Sequence, residues 1–126
     1  MCVANSARSQ LAEGLAKNIL GKDFEIQSAG SKPSQVNPLA IQALKEVGID
    51  ITSHHSKSID DLDHGFVKGL DYVITLCAEE VCPILMSKAK KLHWPLQDPS
   101  QDLDKFRMTR DLIREKLIQF KRELKP

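Results

Sequence analysis

No stretch of this 126-residue chain approaches the ~20 consecutive apolar residues that a membrane-spanning helix requires. Nor is there an excess of either charge: 18 Lys and Arg against 17 Asp and Glu leave a net +1, so no one-signed field selects nucleic acid or an acidic surface as partner. Cysteine is scarce. Three is an odd number and too few for a disulfide scaffold, which points to a reducing, cytoplasmic setting where clustered thiols do chemistry or bind metal. The first twenty residues carry Asn5, Ser6, Arg8, Ser9, Gln10 and Glu13 where a signal peptide would place an apolar block. Internal repeats, low-complexity segments and interdomain linkers are absent, so residues 1–126 are expected to form one domain. What remains, 41% apolar and 28% charged residues, is the composition of a soluble globular domain.

The hydrophobic pattern reads as alternating helices and strands. Leu11, Ala12, Leu15, Ala16, Ile19 and Leu20 have helical spacing, with Gly21 as a stop. Residues 24–27 alternate and run into Ser28-Ala29-Gly30, as a strand entering a turn does. Asn37-Pro38 supplies an N-cap and a first-turn proline for a helix through Ile41, Leu44 and Val47, stopping at Gly48. Residues 49–58 are irregular and polar, with His54 and His55 expected as a solvated pair. Residues 71–76 are the strongest strand, apolar on both faces as in a covered parallel sheet. A short strand over 91–94 follows, and Leu103, Phe106, Ile113, Leu117, Phe120 and Leu124 mark one face of a long terminal helix. The whole predicts an α/β sandwich around a parallel sheet.

Cys2-Val3-Ala4-Asn5-Ser6-Ala7-Arg8-Ser9 is the sharpest chemical feature. Small residues let a loop curl so that successive N–H groups point into one concavity, and a helix N-terminus behind it adds positive charge. Arg8 can fork onto two oxygens of a tetrahedral oxyanion. The same field favours the thiolate of Cys2, poised at the anion's central atom. A chance Cys and Arg at a fraying terminus is the plainer reading, which the small polar residues between them disfavour.

Cys77-Ala78-Glu79-Glu80-Val81-Cys82-Pro83 follows the strongest strand, at the carboxyl edge where open parallel sheets bind ligands. Redox chemistry, inert buried thiols and a thiophilic ion all remain open for this pair. A zinc site would draw on Cys2, His54, His55, His64 or His93, none at finger-like spacing. Asp98 could be a general acid on a loop at the same edge, although Asp-Pro is also a common turn opener. Trp94 reads as a core anchor. The eight Lys or Arg between 105 and 125, against three acids, read as a solvated helix face, with a dock for an acidic protein as the lesser alternative.

Together these residues resemble the thioredoxin-coupled arsenate reductases of the low-molecular-weight protein tyrosine phosphatase superfamily. The likeness runs through Cys2 to Glu13, Ser28-Ala29-Gly30, Val36 to Ala40, Val73 to Cys77, Cys82-Pro83, His93-Trp94 and Asp98-Pro99. It implies a three-layer sandwich with a four-stranded parallel sheet. It also implies that arsenate binds in the loop of Val3, Ala4, Asn5, Ser6, Ala7, Arg8 and Ser9. Cys2 would attack arsenic while Asp98 protonates the departing oxygen, and a Cys2–Cys77–Cys82 disulfide relay would pass the oxidation to a thioredoxin-type dithiol. Asn5 and Ser6 match positions that hold the loop's shape and hydrogen-bond the nucleophile. The resemblance implies no metal, no organic cofactor, no nucleic-acid or membrane partner, and a monomer.

The sequence departs from that pattern in three places. The Cys77–Cys82 separation is shorter than in the best-known members, which leaves thioredoxin, glutaredoxin or another thiol system open as reductant. Ala7 replaces a loop cysteine found in many relatives. The strand that precedes the nucleophile in this fold, between strands at 24–28 and 71–76, has no counterpart. The expectation is that Met1 is the last residue of that strand and that the start lies roughly eight to ten residues upstream. Two other functions fit the same residues: a phosphatase using Cys2, Arg8 and Asp98, for which no aromatic follows Asp98-Pro99 to stack on phosphotyrosine, and a non-catalytic arsenite binder or disabled domain.

Overall fold

The computed structural model describes residues 7–30, 34–77, 88–99 and 101–124. Helix α1 (Arg8–Leu20) buries Leu11, Leu15, Ala16 and Leu20 and ends at Gly21, whose φ of +75° is costly for any residue with a Cβ. Helix α2 (Pro38–Lys45) starts as its sequence requires: Asn37 Oδ1 accepts the N–H of Leu39 at 2.9 Å, and Pro38 sits in the first turn. The chain then turns at Gly48, φ +80°. Helix α3 (His64–Lys68) is capped by Asp63, whose carboxylate accepts the N–H of Phe66. Sequence analysis missed α3 because five residues are too short to display a helical period; the Asp63 cap was its one local signal. Helix α4 (Leu103–Leu124) matches its expected span and buries Phe106, Ile113, Leu117 and Phe120.

Strands β1 (Tyr72–Thr75) and β2 (Lys90–His93) pair in parallel, Tyr72 opposite Lys90 and Thr75 opposite His93. Helices α1, α2 and α4 pack on one another as one layer. Gly14 permits the close approach of α1 there, since a Cβ on it would meet Leu44 Cδ1 at 2.7 Å and Ile51 Cγ2 at 2.9 Å. Tyr72 and Trp94 bring the sheet onto α4 through edge-to-face contacts with Phe120, at centroid distances of 5.0 and 6.0 Å. Trp94 is thus the core anchor its type suggested.

The strand expected over 24–28 is corrected. Residues 25–29 have no regular ladder, and the single parallel bridge nearby is Gly30 with Ser58. Among the described residues the sheet has two strands, where four belong to the fold inferred from the resemblance. A cavity of about 440 Å³ lies between the 24–29 run and β1, so among the described residues the two do not pair directly.

The basic face of α4 is also less solvated than its composition suggested. Arg107 grips both carboxylate oxygens of Glu46, just past α2, and Arg110 Nη1 reaches Glu46 Oε1 at 2.9 Å and the Ala43 carbonyl at 2.8 Å. Hydrogen bonding from Arg107, then from Arg110, holds the Glu46 carboxyl down from 4.5 to about 2. A depressed folded-state value means the contribution is complete above the unfolded value and is lost as pH falls from about 4.5 towards 2. Glu46→Gln is therefore expected to melt lower than the parent at pH 7 and to converge with it near pH 2, as read by thermal unfolding across that range.

Candidate active site

Arg8 opens α1 directly after Ala7, the N-cap residue, and no side chain caps the helix. The first turn contains no acidic residue, so its positive end is not neutralised from within the helix. The Arg8 side chain is 7% exposed, and its Nη1 donates to the carbonyl of Leu96 at 2.8 Å. Leu96 in turn donates its N–H to the carbonyl of Leu76 at 3.0 Å, the residue before Cys77. Three segments therefore meet at the carboxyl ends of β1 and β2: the start of α1, the residues after β1, and the loop after β2.

Cys77 is buried, 1% exposed, immediately beyond β1. Asp98 is exposed on the loop after β2, between Leu96 and Pro99, both of which are buried. Anchoring on either side holds Asp98 at the sheet edge. Ser9 is buried behind Arg8. Cys2, Val3, Ala4, Asn5, Ser6 and Cys82 lie outside the described residues. The structure thus brings Arg8, Cys77 and the Asp98 loop to one edge, as the strand-end argument requires.

Behind Arg8 the same helix carries a feature that sequence reasoning missed. Glu13 is 5% exposed, and its Oε1 accepts both the N–H and the hydroxyl of Ser28 at 2.7 Å. Lys17 Nζ lies 3.0 Å from Oε2, Lys57 Nζ 3.5 Å from Oε1, and His54 Nδ1 3.2 Å from Oε2. Burial alone would raise this carboxyl, but hydrogen bonds from Ser28 and Lys17 and the Lys57 charge outweigh it and leave it below the ordinary range. Gln10 adds a hydrogen bond from its side chain to the His55 carbonyl at 3.3 Å. The signal available in sequence was Gln10 and Glu13 amid the apolar positions of α1.

His54 also corrects the expectation of a solvated pair. Its side chain is largely buried against Glu13, and burial lowers its pKa, with Glu13 opposing. His55 remains exposed. His93 Nδ1 lies 2.7 Å from Thr75 Oγ1 across the end of the sheet. Among the described residues no group of three or more His, Cys, Asp or Glu converges as a metal site, and no helix is long and apolar enough to cross a membrane.

Comparison with known proteins agrees with this geometry. The family description "Low molecular weight phosphotyrosine protein phosphatase" matches residues 1–126. Arsenate reductase 1 of Staphylococcus saprophyticus is 45% identical over 124 residues, 96% of this chain and 92% of the relative. A solved arsenate reductase in its phosphate-binding state superposes with a TM-score of 0.82 at 32% identity, over 98% of this chain and 95% of that one. The thioredoxin-dependent arsenate reductase of Corynebacterium glutamicum gives a TM-score of 0.70 at 32% identity, over 95% of this chain and 60% of that one.

Proposed function

Since the chain belongs to the low molecular weight phosphotyrosine protein phosphatase family, we propose that it is an arsenate reductase working through a three-thiol relay. The observation that carries this reading is the Arg8–Leu96 hydrogen bond: it fixes a guanidinium at the helix end where an oxyanion is favoured, beside Cys77 and the Asp98 loop. Relatives named arsenate reductases, matched over nearly the whole chain, support the choice of substrate.

In the proposed cycle, arsenate lies against the loop of residues 3–9 with Arg8 bridging two of its oxygens. The Cys2 thiolate attacks arsenic, an As–O bond breaks, and Asp98 gives the departing oxygen a proton, so that water leaves. Cys77 then attacks Cys2 Sγ. The S–As bond breaks with its electron pair moving to arsenic, arsenite departs, and a Cys2–Cys77 disulfide remains. Cys82 attacks Cys77, which frees Cys2 and carries the oxidation to a Cys77–Cys82 disulfide. A thioredoxin-type dithiol reduces that bond and restores three thiols. Two electrons pass from the thiols to arsenic in each cycle and the external dithiol replaces them, so the cycle runs on a supply of reduced dithiol.

Arsenate-dependent NADPH oxidation in the presence of thioredoxin and thioredoxin reductase is the test. Turnover by the parent that disappears in Cys82→Ser establishes the relay. Absence of turnover together with hydrolysis of an aryl phosphate would place the protein with the phosphatases, the second reading its family description supports.

A further inference from the structure

Helix α4 carries two stripes. Phe106, Ile113, Leu117 and Phe120 face the core, whereas Lys105, Met108, Leu112 and Glu115 follow at intervals of three, four and three residues and share an exposed face. Met108 is 66% exposed and Leu112 49%, and they stand one turn apart, so together they form one apolar spot on the outside of the helix. Most charges around that spot are already engaged. Asp104 pairs with Arg107 at 2.9 Å and Asp111 with Arg110 at 2.9 Å, both arginines hold Glu46, and Lys116 lies 5.9 Å from the Trp94 ring centroid. The two charges that flank the apolar pair are different: among the described residues, the side chains of Lys105 and Glu115 enter no ion pair.

We propose that this face pairs with the same face of a second copy of the chain, the two α4 helices running antiparallel about a two-fold axis at residue 110. Met108 and Leu112 each stand two residues from position 110, and Lys105 and Glu115 each stand five. Reversal about that point sets Met108 beside the partner's Leu112 and Lys105 beside the partner's Glu115, each contact occurring twice. The three–four spacing is that of a two-helix seam, here with an apolar centre and an ion pair closing each end. A parallel pair would instead set Lys105 on Lys105 and Glu115 on Glu115, so like charges select against it, and the opposed helix dipoles favour the antiparallel choice as well. A seam of one helix per copy lies at the small end of specific interfaces, below about 1,200 Å² in total. The dimer therefore dissociates on dilution, and the monomer that the resemblance implies is its dilute form. None of these residues belongs to the proposed cycle.

Sedimentation equilibrium from about 10 μM to about 1 mM, with reductant present so that thiol pairing cannot supply a dimer, is the test. The mean mass is expected to rise with concentration from 14.1 kDa towards twice that value. Leu112→Glu should raise the dissociation constant at least ~10-fold with the circular dichroism unchanged, since the side chain is half-exposed in the single chain. Lys105→Glu and Glu115→Lys each turn both symmetry-related attractions into repulsions and should each weaken association about 10-fold, whereas the double swap should restore it to within about 3-fold of the parent. A mass that stays at one chain up to ~1 mM would overturn the proposal. So would a dimer indifferent to Leu112→Glu, which would be built on another face. Failure of the double swap to rescue the single swaps would overturn the antiparallel register.

Discussion

Cys77→Ser is expected to abolish multiple turnover of arsenate, by at least ~10³-fold, while hydrolysis of a small aryl phosphate by the same sample is retained. The two activities part because they use different bonds. In the proposed mechanism ester hydrolysis uses a nucleophile at residue 2, the Arg8 cradle and a proton donor, and none of these is Cys77. In the proposed relay, reduction needs an attack on Cys2 Sγ that sends an electron pair to arsenic, and a serine hydroxyl cannot form the disulfide that drives it. Cys77 is buried directly beyond β1 and serine is nearly isosteric, so a change in folding does not explain the loss. The measurement is arsenate turnover beside phosphate-ester hydrolysis in one preparation. Equal loss of both would remove Cys77 from a relay and make it a structural residue.

Arg8→Lys is expected to lower arsenate turnover by about 10²- to 10³-fold, the scale of losing one fixed donor to a developing oxyanion charge. Charge is conserved in this change, so the loss isolates geometry. The guanidinium donates from Nη1 to the Leu96 carbonyl at 2.8 Å, which fixes the plane of its fork. An ammonium is a point charge on a flexible stem, and serving the carbonyl takes it away from the substrate. Because the carbonyl bond is buried and charge-assisted, its loss is also expected to cost roughly 1.5–3 kcal/mol of stability. Turnover and thermal unfolding should therefore be measured together, at a temperature where the variant is folded. A lysine variant with parental kcat/KM would show that position 8 supplies charge alone.

The Glu13 cluster explains how α1 can hold Arg8 in place. Under the proposed function the start of α1 must not slide, and five groups from three segments converge on one carboxylate a turn and a half away. These contacts tie α1 to Ser28 and to the 54–57 loop, so the helix position is set by buried polar partners as well as by Leu11 and Leu15.

Local signals sufficed for what depends on neighbours along the chain. The caps at Asn37 and the stops at Gly21 and Gly48 follow from conformations that only certain residues adopt, and the span of α4 follows from a long apolar stripe. Cys2, Arg8, Cys77, Cys82 and Asp98 stood out because loop chemistry concentrates in short motifs, and the family resemblance rested on the same residues. Tertiary structure decided what depends on partners distant in sequence. Glu13, His54 and Lys57 looked like ordinary polar residues until folding brought positions 44 apart onto one carboxylate. Arg107 and Arg110 read as solvated until folding brought Glu46, just past α2, against them. Residues 24–28 have the alternation of a strand, yet a strand exists only through hydrogen bonds to another chain segment. Pattern alone could mark that segment as willing to pair; tertiary structure decided that, among the described residues, the bridge it leads to is Gly30 with Ser58.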